Sequence, residues 1–319
     1  MISKDINEAI EELQSDNIIG LPTETVYGLA GNAYSEKAIE KIFALKQRPL
    51  YNPLIVHIKS ANFLSEVAAE IAEKAQILAD AFWPGPMTLV LKKKSHIPGI
   101  VTAGKDTVAV RVPSHPIALD LLGQLDFPLA APSANPFGSI SPTCASHVFN
   151  YFGDRLKIIL DGGDCQRGIE STIIGFENEE PIIYRLGSLS VDLIQEKVGP
   201  IKTKMRIEEN APEAPGMLSR HYAPSTETYL TDDVDTMIEL HSHKKIGLLL
   251  FKDHKDGAAV AHQELLSING DTTEAAKNLY AAMHRLDKLN LDLIIAERLP
   301  NVGLGRTLND KLERASKND

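Results

Sequence analysis

The chain has 319 residues, 43% of them hydrophobic and 24% charged, and its 43 acidic against 33 basic side chains give a net charge of −10. That length exceeds one typical domain and that composition is ordinary for a globular protein, so two domains are expected. The acidity argues against a protein whose main task is gripping a phosphate backbone, and no run of about 18 apolar residues offers a membrane span.

The N-terminal stretch MISKDINEAIEELQ reads as an acidic amphipathic helix with Ile2, Ile6, Ala9, Ile10 and Leu13 on one face, unlike a signal peptide. Residues 18–21 suit a buried strand that Pro22 stops, with Thr23, Glu24 and Thr25 just beyond its end. Gly28 and Gly31 are expected to bracket the next turn. Ser35 caps a helix whose apolar face is Ala38, Ile39, Ile42 and Phe43 and which ends near Pro49, with Lys46 and Arg48 at its exit. Asn52-Pro53 turns the chain into a strand over 54–58 carrying His57. Two readings stay open here. Lys46 and Arg48 suit the negative end of a helix, and a lone His57 suits a core strand. Polar groups at adjacent strand ends also suit a binding site, because ligands of open α/β sheets bind there.

Ser60 is placed to cap a helical region running towards Phe82, which Trp83-Pro84-Gly85-Pro86 breaks. Residues 87–91 read as a strand, and 107–112 alternate, with Val108, Val110 and Val112 on one face and Thr107, Ala109 and Arg111 on the other. A helix over 116–125 follows. Residues 129–135 start as a strand and break at Pro132, presenting Ser133 and Asn135, whose bland role is turn chemistry. Ser141-Pro142-Thr143 reads as a helix cap with proline in the first turn. Strands are expected at 158–160, at 171–176 with the Ser171 hydroxyl at its mouth, and at 181–185 ending in Arg185; a helix over 191–198 closes the first domain. Two cysteines, Cys144 and Cys165, have neither metal-ligand spacing nor a disulfide pattern.

Residues 202–226 change character: they hold Pro212, Pro215 and Pro224, lack apolar periodicity, and run longer than ordinary connections. Met217, His221 and Tyr222 are more than a spacer needs. Beyond them, strands over 246–251 and 291–296 flank a helix over 272–289 whose face is Ala275, Leu279, Ala282, Met283 and Leu286, a pattern that predicts a small parallel Rossmann-like sheet. Gly303 and Gly305 lack the rest of a dinucleotide fingerprint. The expected division is a catalytic domain at 1–201, a linker and active-site lid at 202–226, and a small α/β domain at 227–319.

PTETVYGLAG and KQRPLYNPLIVH, then FWPGPMTLVL, VAVRVPSHP, APSANPFGSISPT and GIESTII in that order, closely resemble the L-threonylcarbamoyladenylate synthases of the YrdC-like family, and the tail resembles its long two-domain branch. The resemblance implies a twisted open α/β sheet with flanking helices. It implies condensation of L-threonine, bicarbonate or CO2 and ATP, with Mg2+, into threonylcarbamoyl-AMP and pyrophosphate. The product would pass to enzymes that transfer the threonylcarbamoyl group to tRNA beside the anticodon. Carried over by motif, Lys46 and Arg48 are expected to be catalytic. With Asn52, Thr107, Ser133, Asn135, Ser141, Arg185 and Tyr222 they are expected on the ATP side; Thr25, His57, Arg111, Ala131 and Ser171 are expected to hold threonine. No protein-bound metal, no membrane, weak or absent tRNA binding and a cytoplasmic location go with this expectation. The rivals are an RNA-binding module acting in translation, which the net acidity disfavours, and a carbamoyl-transfer module of hydrogenase maturation, which would bring acylphosphatase and zinc-finger segments.

Overall fold

The computed structural model describes residues 1–204, 215, 221–256 and 258–316. The chain divides into two compact units. The first takes Met1–Phe137, Pro142–Gln166 and Glu170–Leu218; the second takes Gly138–Ser141, Arg167–Ile169 and Ser219–Asp319.

In the first unit the elements run β1 (Ile2–Ser3), α1 (Ile6–Gln14), β2 (Ile19–Leu21), β3 (Gly28–Asn32), α2 (Glu36–Lys46), β4 (Ile55–His57), α3 (Leu64–Val67), α4 (Glu73–Phe82), β5 (Met87–Lys92) and β6 (Thr107–Arg111). They continue with α5 (Pro116–Gln124), β7 (Leu129–Ala130), α6 (Ala145–Phe152), β8 (Ile159–Leu160), β9 (Thr172–Glu177), β10 (Glu180–Arg185), α7 (Val191–Val198) and β11 (Lys202–Thr203). The strands form one mixed sheet in the order β1-β8-β2-β3-β7-β4-β6-β5-β9-β10-β11. Alternation along the strands loads both faces. One core joins Leu29, Val56, Leu89, Val108 and Val110 to Ile39, Ile42, Leu78, Val148 and Ile194 of the helices. The other joins Ile19, Leu21, Ala30 and Leu129 to Ala9 and Leu13 of α1 and Leu121 and Leu122 of α5. A third, small apolar cluster of Ile55, Val90, Ala109, Ile173, Ile182 and Tyr184 lies across β4, β6, β5, β9 and β10.

Four local expectations are corrected. Ile2 belongs to a strand, paired with Ile159, because the Asp5 side chain caps the helix by accepting the Asn7 N–H at 2.8 Å and so starts it at residue 6. Gly28 and Gly31 lie inside β3, not at a turn. A Cβ on Gly28 would meet that of Ala131 at 3.2 Å, and one on Gly31 would meet Ile18 at 3.1 Å, so these glycines let the chain pack closely. The stretch from Ser60 to Phe82 is not one helix: Ala68 bridges to Lys93, the Ala69 N–H bonds the Lys92 carbonyl at 2.8 Å, and the Ser60 side chain makes no cap bond. Ser141-Pro142-Thr143 is not the cap of α6, whose N-cap is Cys144; the Pro142 and Thr143 carbonyls instead receive the Tyr27 and Cys165 N–H groups at 2.8 and 2.9 Å.

In the second unit β12 (Thr228–Thr231), α8 (Val234–Leu240), β13 (Ile246–Leu250), β14 (Val260–Leu265), α9 (Thr272–Asp287), β15 (Leu293–Glu297) and α10 (Gly305–Ala315) follow one another. The sheet order is β12-β15-β13-β14 and every pair is parallel, as the strand–helix–strand pattern predicts. The named face of α9 is buried in full. β12, α8 and β14 escape the sequence reading because they are short or polar. Gly303 has φ +53°, and a side chain on Gly305 would collide with the Pro300 carbonyl, so packing explains both glycines without a ligand.

Candidate active site

β4 and β6 run parallel with His57 opposite Arg111, the last residue of each strand. Alternation puts both on the face of Ile55 and Ala109, so they stand at the edge of the small apolar cluster. Arg111 is buried and its fork is fixed from three sides. Nε donates to the Gly85 carbonyl at 3.2 Å, Nη1 to Thr25 Oγ1 at 3.0 Å, and Nη2 to Glu24 Oε1 at 2.5 Å. The other Glu24 oxygen accepts the Ser114 N–H at 3.1 Å. Burial raises the Glu24 carboxyl, but the charge and hydrogen bond of Arg111, with two backbone N–H bonds, overcome it and leave it below its ordinary range. The ion pair is therefore intact at neutral pH. Burial first, and then the Arg111 charge, drive His57 down to about 3, so its ring is neutral; its Nδ1 is buried without a partner. Thr25 Oγ1 also lies 2.9 Å from Thr23 Oγ1, which in turn donates to the Val26 carbonyl.

The second cluster stands at the end of α2. Gln47, at φ +53°, turns the chain out of the helix. Lys46 points into the protein and donates to the carbonyls of Ser133 and Asn135 at 2.6 and 2.5 Å. Burial, and the Arg48 charge after it, push its ammonium well below the ordinary range. Arg48 donates to the carbonyl and the side-chain oxygen of Asn52 and to the Pro53 carbonyl. The Asn52 Nδ2 is buried without a partner. Two buried cations thus meet carbonyl and amide dipoles at a place where phosphate oxygens would be welcome.

The 131–135 segment connects the clusters. Its Ala131 N–H bonds the Ile55 carbonyl, Ser133 bridges to Gly28, and the Ala134 N–H bonds the Tyr27 carbonyl at 2.8 Å. The carbonyls that hold Lys46 are therefore stitched to the β2–β3 connection that holds Thr25 and to the strand that carries His57. On the other side, the Thr172 N–H bonds the Pro86 carbonyl, next to the Gly85 that holds Arg111. This sets Ser171 beside the Arg111 cluster. The Ser171 hydroxyl lies 2.8 Å from Thr88 Oγ1 and accepts from Arg185 Nη2 at 3.1 Å, and the Ser171 carbonyl takes Arg185 Nε and Nη2 at 3.1 and 2.9 Å.

Not every expected residue joins these clusters. Thr107 begins β6, opposite Lys92, four residues and about 13 Å along the strand from Arg111. Ser141 is buried in the second unit, with His284 Nε2 3.2 Å from its carbonyl. Tyr222, also in the second unit, is fully buried: its hydroxyl accepts from Lys311 at 2.9 Å and its ring stacks on Tyr280 at 5.6 Å. Most of the expected linker, Met217 included, lies outside the described residues. Glu24 and Thr88 were missed. Glu24 carried a signal, a carboxylate between two threonines at a strand end, but its cation sits 87 residues away. Among the described residues no group of three or more His, Cys, Asp or Glu side chains is arranged to hold a metal, and both cysteines are free.

Comparison with known proteins reaches the whole chain. A family model described as "Telomere recombination" matches residues 11–187, and one described as "Threonylcarbamoyl-AMP synthase, C-terminal domain" matches residues 188–317. The threonylcarbamoyl-AMP synthase of Pyrococcus abyssi is 38% identical over 98% of this chain and 96% of its own, and that of Bacillus subtilis is 34% identical over 98% and 92%. A crystal structure of P. abyssi Sua5 complexed with L-threonine matches with a TM-score of 0.91 at 39% identity, covering 98% of this chain and 94% of that one. A full-length HypF, 20% identical with a TM-score of 0.51 over 57% of this chain, shares the fold alone.

Proposed function

The chain belongs to the threonylcarbamoyl-AMP synthase family, in its two-domain form, and from that premise we propose that it condenses L-threonine, bicarbonate or CO2, and ATP into threonylcarbamoyl-AMP and pyrophosphate. The observation that carries the reading is full-length similarity to these synthases combined with two buried, adjoining clusters, one built for a small polar ligand and one rich in cations.

The threonine amine adds to CO2 and, on losing its proton, becomes a carbamate. A carbamate oxygen attacks the α-phosphorus of ATP, and the α–β bridging oxygen leaves with pyrophosphate. No covalent enzyme intermediate is needed, so the work is alignment and charge neutralisation. Arg111 meets the threonine carboxylate, and Thr25, His57, Ser171 and the Ala131 carbonyl surround the rest of the amino acid. Because His57 is neutral, it acts as a hydrogen-bonding group. Lys46 and Arg48 face the triphosphate and offset charge that develops on it, with Asn52, Ser133, Asn135 and Arg185 on the same side. Mg2+ enters with ATP as part of the substrate, held mainly by phosphate and water oxygens. The stretch 202–226 serves as a lid whose closure protects a hydrolysis-prone anhydride. The product passes to tRNA-modifying transfer enzymes, tRNA itself being bound weakly or not at all, and the work is done in the cytoplasm. No described helix is long and apolar enough to cross a membrane.

The test is pyrophosphate release in a mixture of ATP, Mg2+, bicarbonate and threonine, with mass spectrometry of the nucleotide product. Release is expected only when threonine and bicarbonate are both present. Equal release without threonine, or no threonylcarbamoyl-AMP, would sink the assignment.

A further inference from the structure

Glu24 has no part in the reading above, yet it is 3% exposed and directly paired with Arg111, itself 4% exposed. A carboxylate buried this deeply carries a desolvation cost that its partner must offset. If the task of Arg111 were only to attract a substrate carboxylate, a resident carboxylate would weaken it.

The charge inventory resolves this. Arg111 contributes one positive charge and Glu24 one negative. His57, on which both act, is neutral, and burial pushes the neighbouring Cys165 thiol up, so it too is uncharged. The pair is balanced before any ligand arrives. A guanidinium has five N–H groups, and three of those on Arg111 are engaged. An ionised carboxylate can accept about four hydrogen bonds, and Glu24 receives Arg111 and two backbone N–H groups, its own and that of Ser114. Each partner therefore has capacity left for one more charged group without releasing the other. A simple carboxylate entering here leaves the pair with one negative charge in excess, and a simple amine leaves it with one positive; a zwitterion leaves the pair balanced.

Resting on the reading that threonine enters at Arg111, we propose that Glu24 is a specificity-determining residue: with Arg111 it forms a balanced pair that selects the zwitterion of an α-amino acid, carboxylate towards Arg111 and ammonium towards Glu24. A Glu24 that merely propped Arg111 in place would influence every carboxylate ligand equally.

Calorimetry on the full chain separates these roles, using L-threonine, 3-hydroxybutyrate (no amine) and 1-amino-2-propanol (no carboxylate). The wild type is expected to bind threonine at least roughly 100-fold more tightly than either analogue, since a site built for polar groups rejects ligands that leave them unpaired. Glu24→Gln is expected to weaken threonine by about 10- to 100-fold, the range of a charge-assisted hydrogen bond, and to strengthen 3-hydroxybutyrate, so the preference collapses. Glu24→Asp keeps the charge and is expected to keep the preference even at lower affinity. ATP affinity and thermal unfolding report whether each variant is folded. Equal weakening of threonine and 3-hydroxybutyrate in Glu24→Gln, or an unchanged preference, overturns the proposal. If the Gln variant does not fold, loss of the preference in Glu24→Asp overturns it, as does a wild type that binds 3-hydroxybutyrate as well as threonine. A wild type that binds no threonine overturns the functional reading first, and this inference with it.

Discussion

Arg111 and Lys46 are both buried cations of the first unit, and they are held in opposite ways. Arg111 is matched charge for charge by Glu24, while Lys46 is met by the dipoles of two carbonyls. In an empty site each member of an ion pair offsets the other's burial, and breaking the pair strands a charge. A cation held by dipoles stabilises the empty protein little and stays ready for an anion. The contrast separates a group that is part of the scaffold from one kept in waiting.

The largest expected effect tests the first half of that contrast. Arg111→Ala strands Glu24 and is expected to cost about 3–5 kcal/mol of folding stability, the scale of a broken buried pair, besides threonine affinity. Chemical denaturation without ligand measures it, and an Arg111→Met, Glu24→Leu double variant is expected to recover much of the loss. A single variant as stable as the wild type would place Arg111 with Lys46. Lys46→Met is expected to reverse the emphasis. Relief of a buried ammonium offsets the loss of its two bonds to carbonyls, so stability changes by about 1 kcal/mol, while ATP affinity falls by about 10- to 100-fold. Normal ATP binding in a strongly destabilised variant would show that Lys46 is structural after all.

A pH series probes the balanced side more gently. The folded value of His57, about 3, lies below its ordinary 6.5, so the unfolded chain takes up that proton first. Its contribution is fully present above pH 6.5 and is lost as pH falls towards 3, at a slope of at most about 1.4 kcal/mol per pH unit. Glu24, also lowered, acts in the same direction: its stabilising contribution holds above the ordinary carboxylate range and fades as pH drops through its folded value. Denaturation midpoints at pH 6.5 and 5.5 should therefore differ, and His57→Gln should reduce that difference. Smallest of all is Ser171→Ala, expected to cost about 0.5–1.5 kcal/mol for one neutral hydrogen bond. A null result in both stability and substrate affinity would take Ser171 out of the site.

Much of the frame was readable in order along the chain because local chemistry decided it. Ser35 caps α2 by accepting the Ala38 N–H, Gln47 ends it, and the valines of β6 fill the core as their alternation requires. The α9 face was legible for the same reason. What was not legible is non-local. Gly28 and Gly31 look like turn glycines until Ala131 and Ile18 are seen pressing on them. Ser141-Pro142-Thr143 looks like a cap until Tyr27 and Cys165 claim its carbonyls. The motifs placed Arg111 in a site, but nothing local announced that its counter-ion would be Glu24.

Arg185 has a consequence of its own. It spends both Nε and Nη2 on Ser171, whose hydroxyl reaches on to Thr88. On the proposed assignment, a nucleotide-side cation and a threonine-side hydroxyl share one hydrogen-bonded chain, so neither ligand can rearrange its end without disturbing the other. Thermodynamic linkage makes such a disturbance reciprocal: the factor by which threonine changes nucleotide affinity must equal the factor by which nucleotide changes threonine affinity. The two half-sites then behave as one cooperative unit, and an affinity measured for either substrate alone understates or overstates what the enzyme meets when both are present.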